Sequence, residues 1–363
     1  MLSLAERLRE RIQREGPLSF HDWMAAALYD HEQGYYCRQR SRWGRGGDYR
    51  TSPERSLLFA ATFARYFAKL YVELGSPPQW ALIEVGAGSG EFAEVALDTL
   101  RLRSPEVFAA TRYVIDELGP DSRELARGRL ARFGSQVQFA KLETLEGLAA
   151  GVIFSNELLD AFPVHRVTMD QGVLREFFVA ASDAGTFGWK LFDPSKERLK
   201  KYFDAIGVEL AEGQIAEVNL EIDDWVRSAS EKLERGYLIT VDYGAEAHEL
   251  YSAAARPEGT LRSFHQHRFS ADLLGNSGEQ DITSSVNWSQ VRQSGEALEL
   301  QTIEFERQDR FLMNEGLLDE LELRVGECKD EGEKIRLRTS AREMILPDGM
   351  AASFQVLVQR KQG

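Results

Sequence analysis

The sequence predicts an α/β fold in which helices cover both faces of a mainly parallel sheet. Three observations carry this. Short, mainly apolar runs recur at 81–85, 113–115, 137–139, 152–154 and 237–241; they suit buried parallel strands. Helical stretches at 92–102 and 123–133 fall between them, which is the rhythm of βαβ units. A glycine turn, Gly86-Ala87-Gly88-Ser89-Gly90, joins the first run directly to the first of these helices.

The elements follow in chain order. Leu4, Leu8 and Ile12 are spaced i, i+4, i+8 and make one face of an amphipathic helix. The segment is arginine-rich like a transit peptide, but Glu6, Glu10 and Glu15 are interspersed, and transit peptides are poor in acids. Residues 1–75 read as mainly helical, broken by a loop rich in Gly, Arg and Ser at 34–53. A helix over 57–74 stops at Gly75, with Pro77 and Pro78 just beyond; glycine after the last turn and proline past it are helix-stop signals. The sheet rhythm breaks at 164–215, where 173–180 and 186–192 read as a hairpin turned at Ser182-Asp183-Ala184-Gly185. A polar stretch from 241 to 297 reads as a lid or insertion, and 297–305 with 353–359 as an antiparallel pair closing the sheet.

Composition narrows the function classes. A chain of 363 residues, 43% hydrophobic and 28% charged, builds a sizeable core. Its net charge of −14 argues against a broad grip on nucleic acid, which needs a basic face. Arg38, Arg40, Arg42 and Arg45 read as a solvated loop. Cys37 and Cys328 stand far apart and in no metal-ligand spacing, so neither a disulfide framework nor a zinc site is expected. A reducing compartment follows, with a cytoplasmic location as the default. No apolar run approaches the ~20 residues of a membrane helix.

The glycine turn carries the chemistry. Glycines turn sharply and let a ligand lie against the backbone, and the first N–H groups of the following helix are free to meet its polar atoms. A dinucleotide fingerprint, G-x-G-x-x-G, would put its third glycine at position 91, which is Glu91. Glu84, two residues before Gly86, instead gives acid-x-G-x-G-x-G, a pattern common in methyltransferases, where the acid meets the amino-acid end of S-adenosylmethionine. Glu117, just past the 113–115 run, is expected to accept the ribose hydroxyls, with Asp116 as its rival.

Asn156, Glu157 and Asp160 cluster just past the 152–154 run, at the same edge of the sheet. Asn156 offers donor and acceptor; Glu157 and Asp160 offer carboxylates that could orient a guanidinium through its forked donors. The plainer reading makes Asp160 a turn cap and Glu157 structural. His248, His265 and His267 have no metal-ligand spacing, and Trp288, Tyr35 and Tyr36 read as packing residues.

Over nearly its whole length the chain resembles the MidA-like family of S-adenosylmethionine-dependent methyltransferases. The resemblance rests on Gly16-Pro17-Leu18-Ser19-Phe20, Ala27-Leu28-Tyr29-Asp30, Gly34-Tyr35-Tyr36 and Gly47-Asp48-Tyr49-Arg50-Thr51-Ser52-Pro53-Glu54. It continues through residues 156–163, Val241-Asp242-Tyr243-Gly244, Gly259-Thr260-Leu261-Arg262, Asp281-Ile282-Thr283 and Phe354-Gln355-Val356-Leu357. It implies a doubly wound, seven-stranded, Rossmann-like methyltransferase sheet with an N-terminal helical extension and a substrate-side insertion. The extension would span 1–75, and the methyltransferase domain 76–363 with insertions at about 164–215 and 245–295. The implied cofactor site is Glu84, Gly86, Gly88, Gly90, Glu117 and Asn156, covered by a loop carrying Gly47, Thr51 and Ser52. Mitochondrial members assist assembly of respiratory complex one, which implies methylation of a protein arginine; a homodimer is left open. The sequence departs from the family at Ala87 and Ser89, where proline and arginine are usual, at His31, at Gly119 and at Phe59-Ala60-Ala61. A non-catalytic assembly protein keeping the cofactor site is the alternative. A nicotinamide dehydrogenase is disfavoured by Glu91 and by the late position of Glu117, beyond the ~20-residue interval of that motif.

Overall fold

The computed structural model describes residues 2–37, 57–265, 268–346 and 353–363. The chain divides into two compact units, one of Trp43–Leu158, Val226–Tyr243 and Gly295–Gly363, the other of Met1–Arg42, Leu159–Trp225 and Gly244–Ser294.

The first unit is built on the mostly parallel sheet. Its strands run in the order Leu300–Arg307, Phe354–Lys361, Gly236–Ala245, Gly151–Asn156, Trp80–Val85, Thr111–Asp116, Val137–Phe139. Phe354–Lys361 is antiparallel to both neighbours, and the other pairings are parallel. The chain starts in the middle, at Trp80–Val85, winds outward to Val137–Phe139, then returns to Gly151–Asn156 on the opposite side. That reversal creates a crevice at the carboxyl edge between the first strand and Gly151–Asn156, where open α/β sheets bind ligands. Among the described residues the sheet has eight strands, not the expected seven, because Val286–Asn287 pairs in parallel with Gly244 and Ala245. A two-residue strand is too short to show any alternation in sequence.

Every residue of Trp80–Val85 is buried, as a central strand between two helical layers requires. Gly151 is demanded by close approach, since a Cβ there would stand 2.6 Å from the Ala81 carbonyl oxygen. One face packs on the helix Leu57–Glu73, whose Phe59, Phe63 and Phe67 meet Phe92 and Phe154. Phe92 and Phe154 stack at 4.5 Å. Three helices that the sequence reading did not assign, Gln308–Asn314, Leu317–Glu327 and Glu331–Ile345, connect the last two strands.

The second unit opens with the helix Leu4–Glu15, buried through Leu4, Leu8 and Ile12 as expected and started by a Ser3–Glu6 capping box. Its main sheet is antiparallel, Leu18–Ser19, Val173–Ala181, His165–Asp170, Ile215–Val218, with Phe187–Phe192 beside Val173–Ala181. The expected hairpin is therefore present, and its turn closes with the Gly185 N–H donating to the Ser182 carbonyl. The polar stretch is more ordered than its composition suggests. Arg262–His265, Arg268–Ser270 and Asp281–Thr283 form a small antiparallel sheet, and Trp288–Glu296 is a helix. Among the described residues no helix is long and apolar enough to cross a membrane.

Phe63 touches five other aromatic rings, those of Phe59, Phe67, Phe92, Phe154 and Phe311. Phe63→Ala is expected to cost about 3–5 kcal/mol of stability, read as a fall in the urea midpoint; a change below about 1 kcal/mol would contradict the packing described.

Candidate active site

Three left-handed glycines convert strand to helix. Gly86, Gly88 and Gly90 have φ of 73°, 55° and 78°, a region that side chains disfavour. Their N–H groups are each accounted for. Gly86 donates to the Asp116 carbonyl at 2.8 Å, Gly88 to Glu117 Oε2 at 2.8 Å, and Gly90 to the Ala87 carbonyl at 3.0 Å. The helix Glu91–Arg103 begins at once, with Gly90 as its cap.

The neighbouring strand separates the two rival acids. Asp116 turns away from the loop, and its Oδ2 accepts the Leu142 N–H at 2.7 Å. Glu117 faces it, its Oε1 taking the Gly119 N–H at 2.6 Å while Oε2 holds Gly88. Glu117 thus lies beside the glycines, while one Asp116 oxygen is taken by Leu142.

Glu84 is buried, and the Tyr113 hydroxyl donates to its Oε2 at 2.7 Å. Burial pushes its carboxyl up to about 8, against the lowering pull of Tyr113 and with a further rise from the charge of Glu117. Sequence reasoning missed Tyr113. The signal lay in the strand register: Tyr113 pairs with Leu82, which shares a face with Glu84.

At the end of Gly151–Asn156, Asn156 Nδ2 donates to Glu157 Oε1 at 3.2 Å, and the Glu157 N–H donates to the Val241 carbonyl at 2.9 Å. Ser155 Oγ and Asn156 Oδ1 are buried with no hydrogen-bond partner among the described residues. Glu157 has φ of 50°, a left-handed backbone that costs a non-glycine residue roughly 1–2 kcal/mol.

Asp160 lies in the other unit, in the short helix Leu159–Ala161. It is buried, and its carbonyl accepts the Ser284 N–H. The Tyr29 hydroxyl donates to the Ala161 carbonyl at 2.9 Å, Tyr29 and Tyr36 stack, and the Tyr36 hydroxyl donates to Asp281 at 2.8 Å. Tyr35 and Trp288 are buried packing residues, and His248 is exposed. Gly47, Thr51, Ser52, His267 and the arginines at 38–45 lie outside the described residues.

The raised Glu84 makes a prediction about stability. The unfolded chain loses this proton near pH 4.5, whereas the folded chain keeps it to about 8. The contribution is therefore full below pH 4.5 and is lost as pH rises towards about 8. Glu84→Gln should remove a pH dependence of a few kcal/mol from urea unfolding compared at pH 5 and pH 8. An identical slope in the variant would show that the acid is already ionised.

With this geometry in view, the chain's likeness to known proteins is specific. Residues 62–306 match the family model described as "Putative S-adenosyl-L-methionine-dependent methyltransferase". The chain is 27% identical to the Drosophila melanogaster mitochondrial protein arginine methyltransferase NDUFAF7 homolog, over 81% of this chain and 70% of that protein. It is 23% identical to mitochondrial NDUFAF7 of Mus musculus, over 97% of this chain and 83% of that protein. A crystal structure from Burkholderia thailandensis, bound to S-adenosyl-homocysteine, superposes with a TM-score of 0.86 at 28% identity, covering 99% of this chain and 92% of that one. The cytoplasmic expectation is corrected by these relatives, since the fly, mouse and human proteins are mitochondrial. Cysteine usage indicates a reducing environment and does not distinguish one reducing compartment from another. On the family match and the fold together, this chain belongs to the S-adenosyl-L-methionine-dependent methyltransferase family.

Proposed function

We propose that the chain transfers a methyl group from S-adenosylmethionine to an arginine of a protein. The observation that carries the cofactor site is the buried Glu84 beside the glycine loop, together with Ser155 Oγ and Asn156 Oδ1, which have no hydrogen-bond partner among the described residues. A buried acid held near pH 8 seeks a cation, and buried acceptors without partners seek donors. S-adenosylmethionine carries an ammonium, ribose hydroxyls and an adenine amino group, so these residues fit it.

When bound, the cofactor supplies a methyl group on a positively charged sulfur. Glu84 would hold the amino-acid end, giving up its proton as the ammonium approaches. Glu117 would accept the ribose hydroxyls. A carboxylate offers about four acceptor positions, so this is compatible with its hold on Gly88 and Gly119. Gly86, Gly88 and Gly90 let the ligand lie against the backbone, and Asn156 Oδ1 would take a donor. Gly47, Thr51 and Ser52 are proposed, on the family resemblance, to cover it.

The arginine acceptor is supported by the names of the fly and mouse relatives. A guanidinium keeps its proton at neutral pH, so the protein has to orient the attacking nitrogen and take up a proton. Glu157 and Asp160 are proposed for these roles. The strained backbone of Glu157 supports it, since such strain persists where surrounding structure fixes a residue for function. The intervals at about 164–215 and 245–295 are proposed as substrate-side insertions, and a respiratory-complex subunit is the first acceptor to try.

Two experiments test this reading. Glu117→Ala should weaken S-adenosylmethionine binding about ten-fold or more by calorimetry, as expected for losing hydrogen bonds to a charged group; unchanged affinity would contradict the assignment. Incubating the purified protein with methyl-labelled S-adenosylmethionine and an extract of its own cell should label arginine in protein. Label on RNA or a small molecule would overturn the acceptor.

A further inference from the structure

The peptide between Gly88 and Gly90 is flanked by two left-handed glycines, which impose little conformation of their own. Something outside the loop has to set it. The helix Pro120–Leu130 is pressed against the loop: a Cβ on Gly90 would lie 3.0 Å from Ala126 Cβ and 3.3 Å from Leu130 Cδ1. From the last turn of that helix Arg129 reaches back. Its Nε donates to the Ser89 carbonyl at 3.1 Å, Nη2 to Glu91 Oε1 at 2.8 Å and Nη1 to Glu94 Oε2 at 3.0 Å.

We propose that Arg129 is a positioning residue for cofactor binding, fixing the Ser89 peptide and neutralising the two acids at the start of the helix. The proposal rests on the cofactor reading above. The planar guanidinium reaches the three acceptors from three separate nitrogens in a fixed fork, whereas the donors of a lysine all sit on one nitrogen. With Ser89 C=O held by Arg129 and the Gly90 N–H held by Ala87, the peptide is fixed at both ends. Without the arginine, Glu91 would lose its ion-pair partner and set negative charge beside the loop, where it would repel the carboxylate of an amino-acid ligand, while Glu94 would keep only Arg132. Sequence reading treated Glu91 only as an argument against a pyrophosphate; its partner explains how the loop tolerates it.

Arg132 provides the control. It pairs with Glu94 at 3.0 Å and with Asp98, and among the described residues it makes no hydrogen bond to the glycine loop. Calorimetric titration with S-adenosylhomocysteine would compare the wild type with Arg129→Gln, Arg129→Lys and Arg132→Gln. Arg129→Gln should raise Kd, and KM for S-adenosylmethionine, about ten-fold, with methyl transfer into extract protein at saturating cofactor and Tm little changed. Arg129→Lys should fall between, because it keeps the charge and loses the fork, and it carries the comparison if the glutamine variant fails to fold. Arg132→Gln should match the wild type. Wild-type Kd in either Arg129 variant, or an equal loss in Arg132→Gln, would overturn the proposal. A wild type that binds no S-adenosylhomocysteine would overturn the cofactor reading itself and this inference with it.

Discussion

The last residue of the strand Thr111–Asp116 and the Glu117 that follows it hold two glycines of the neighbouring strand's connection. The Asp116 carbonyl takes the Gly86 N–H and the Glu117 carboxylate takes the Gly88 N–H. This pair of bonds shapes the turn from Trp80–Val85 into the helix Glu91–Arg103, and the position of the crevice follows from it. Glycine permits the conformation without selecting it; the neighbouring strand does the selecting. The central strands therefore have to be parallel and in register before the loop takes its form, which ties the site to the packing of the whole sheet.

The carboxyl edge is where the structure departs from best stability. It holds a buried acid whose carboxyl burial pushes up, two buried polar atoms without partners among the described residues and a glutamate with a left-handed backbone. Each is unfavourable in a bare fold. The aromatic core beneath, where Phe63 and Phe67 meet Phe92 and Phe154, offsets them. Several such features meeting at the carboxyl edge of a parallel sheet, where open α/β folds bind ligands, fit a site shaped for a ligand.

The parallel strands were legible because burial on both faces leaves mainly apolar runs, and the glycine loop because its residue types admit few conformations. The hairpin was legible from Ser182–Gly185 between two strand-like runs. The helices between 308 and 345 were not assigned. Leu317–Glu327 and Glu331–Ile345 bury few side chains, so their apolar stripe is thin. The small sheet within 262–283 was missed because its strands are three or four residues long, below the length at which alternation can be seen. At the site, residue types pointed to Glu84, Glu117 and Asn156 as candidates, but the strand register was needed to find Tyr113 beside Glu84. The backbone of Glu157 and the reach of Arg129 depend on tertiary packing and leave no local signal.

The central claim is that an S-adenosyl ligand is held where the first strand passes into its helix. A crystal structure of this protein grown with S-adenosylhomocysteine tests it most directly. The account requires density for the ligand against residues 84–90, with its ribose hydroxyls on the Glu117 carboxylate. A crevice closed by side chains, or ligand bound elsewhere while the Gly88 turn stays covered, would contradict it.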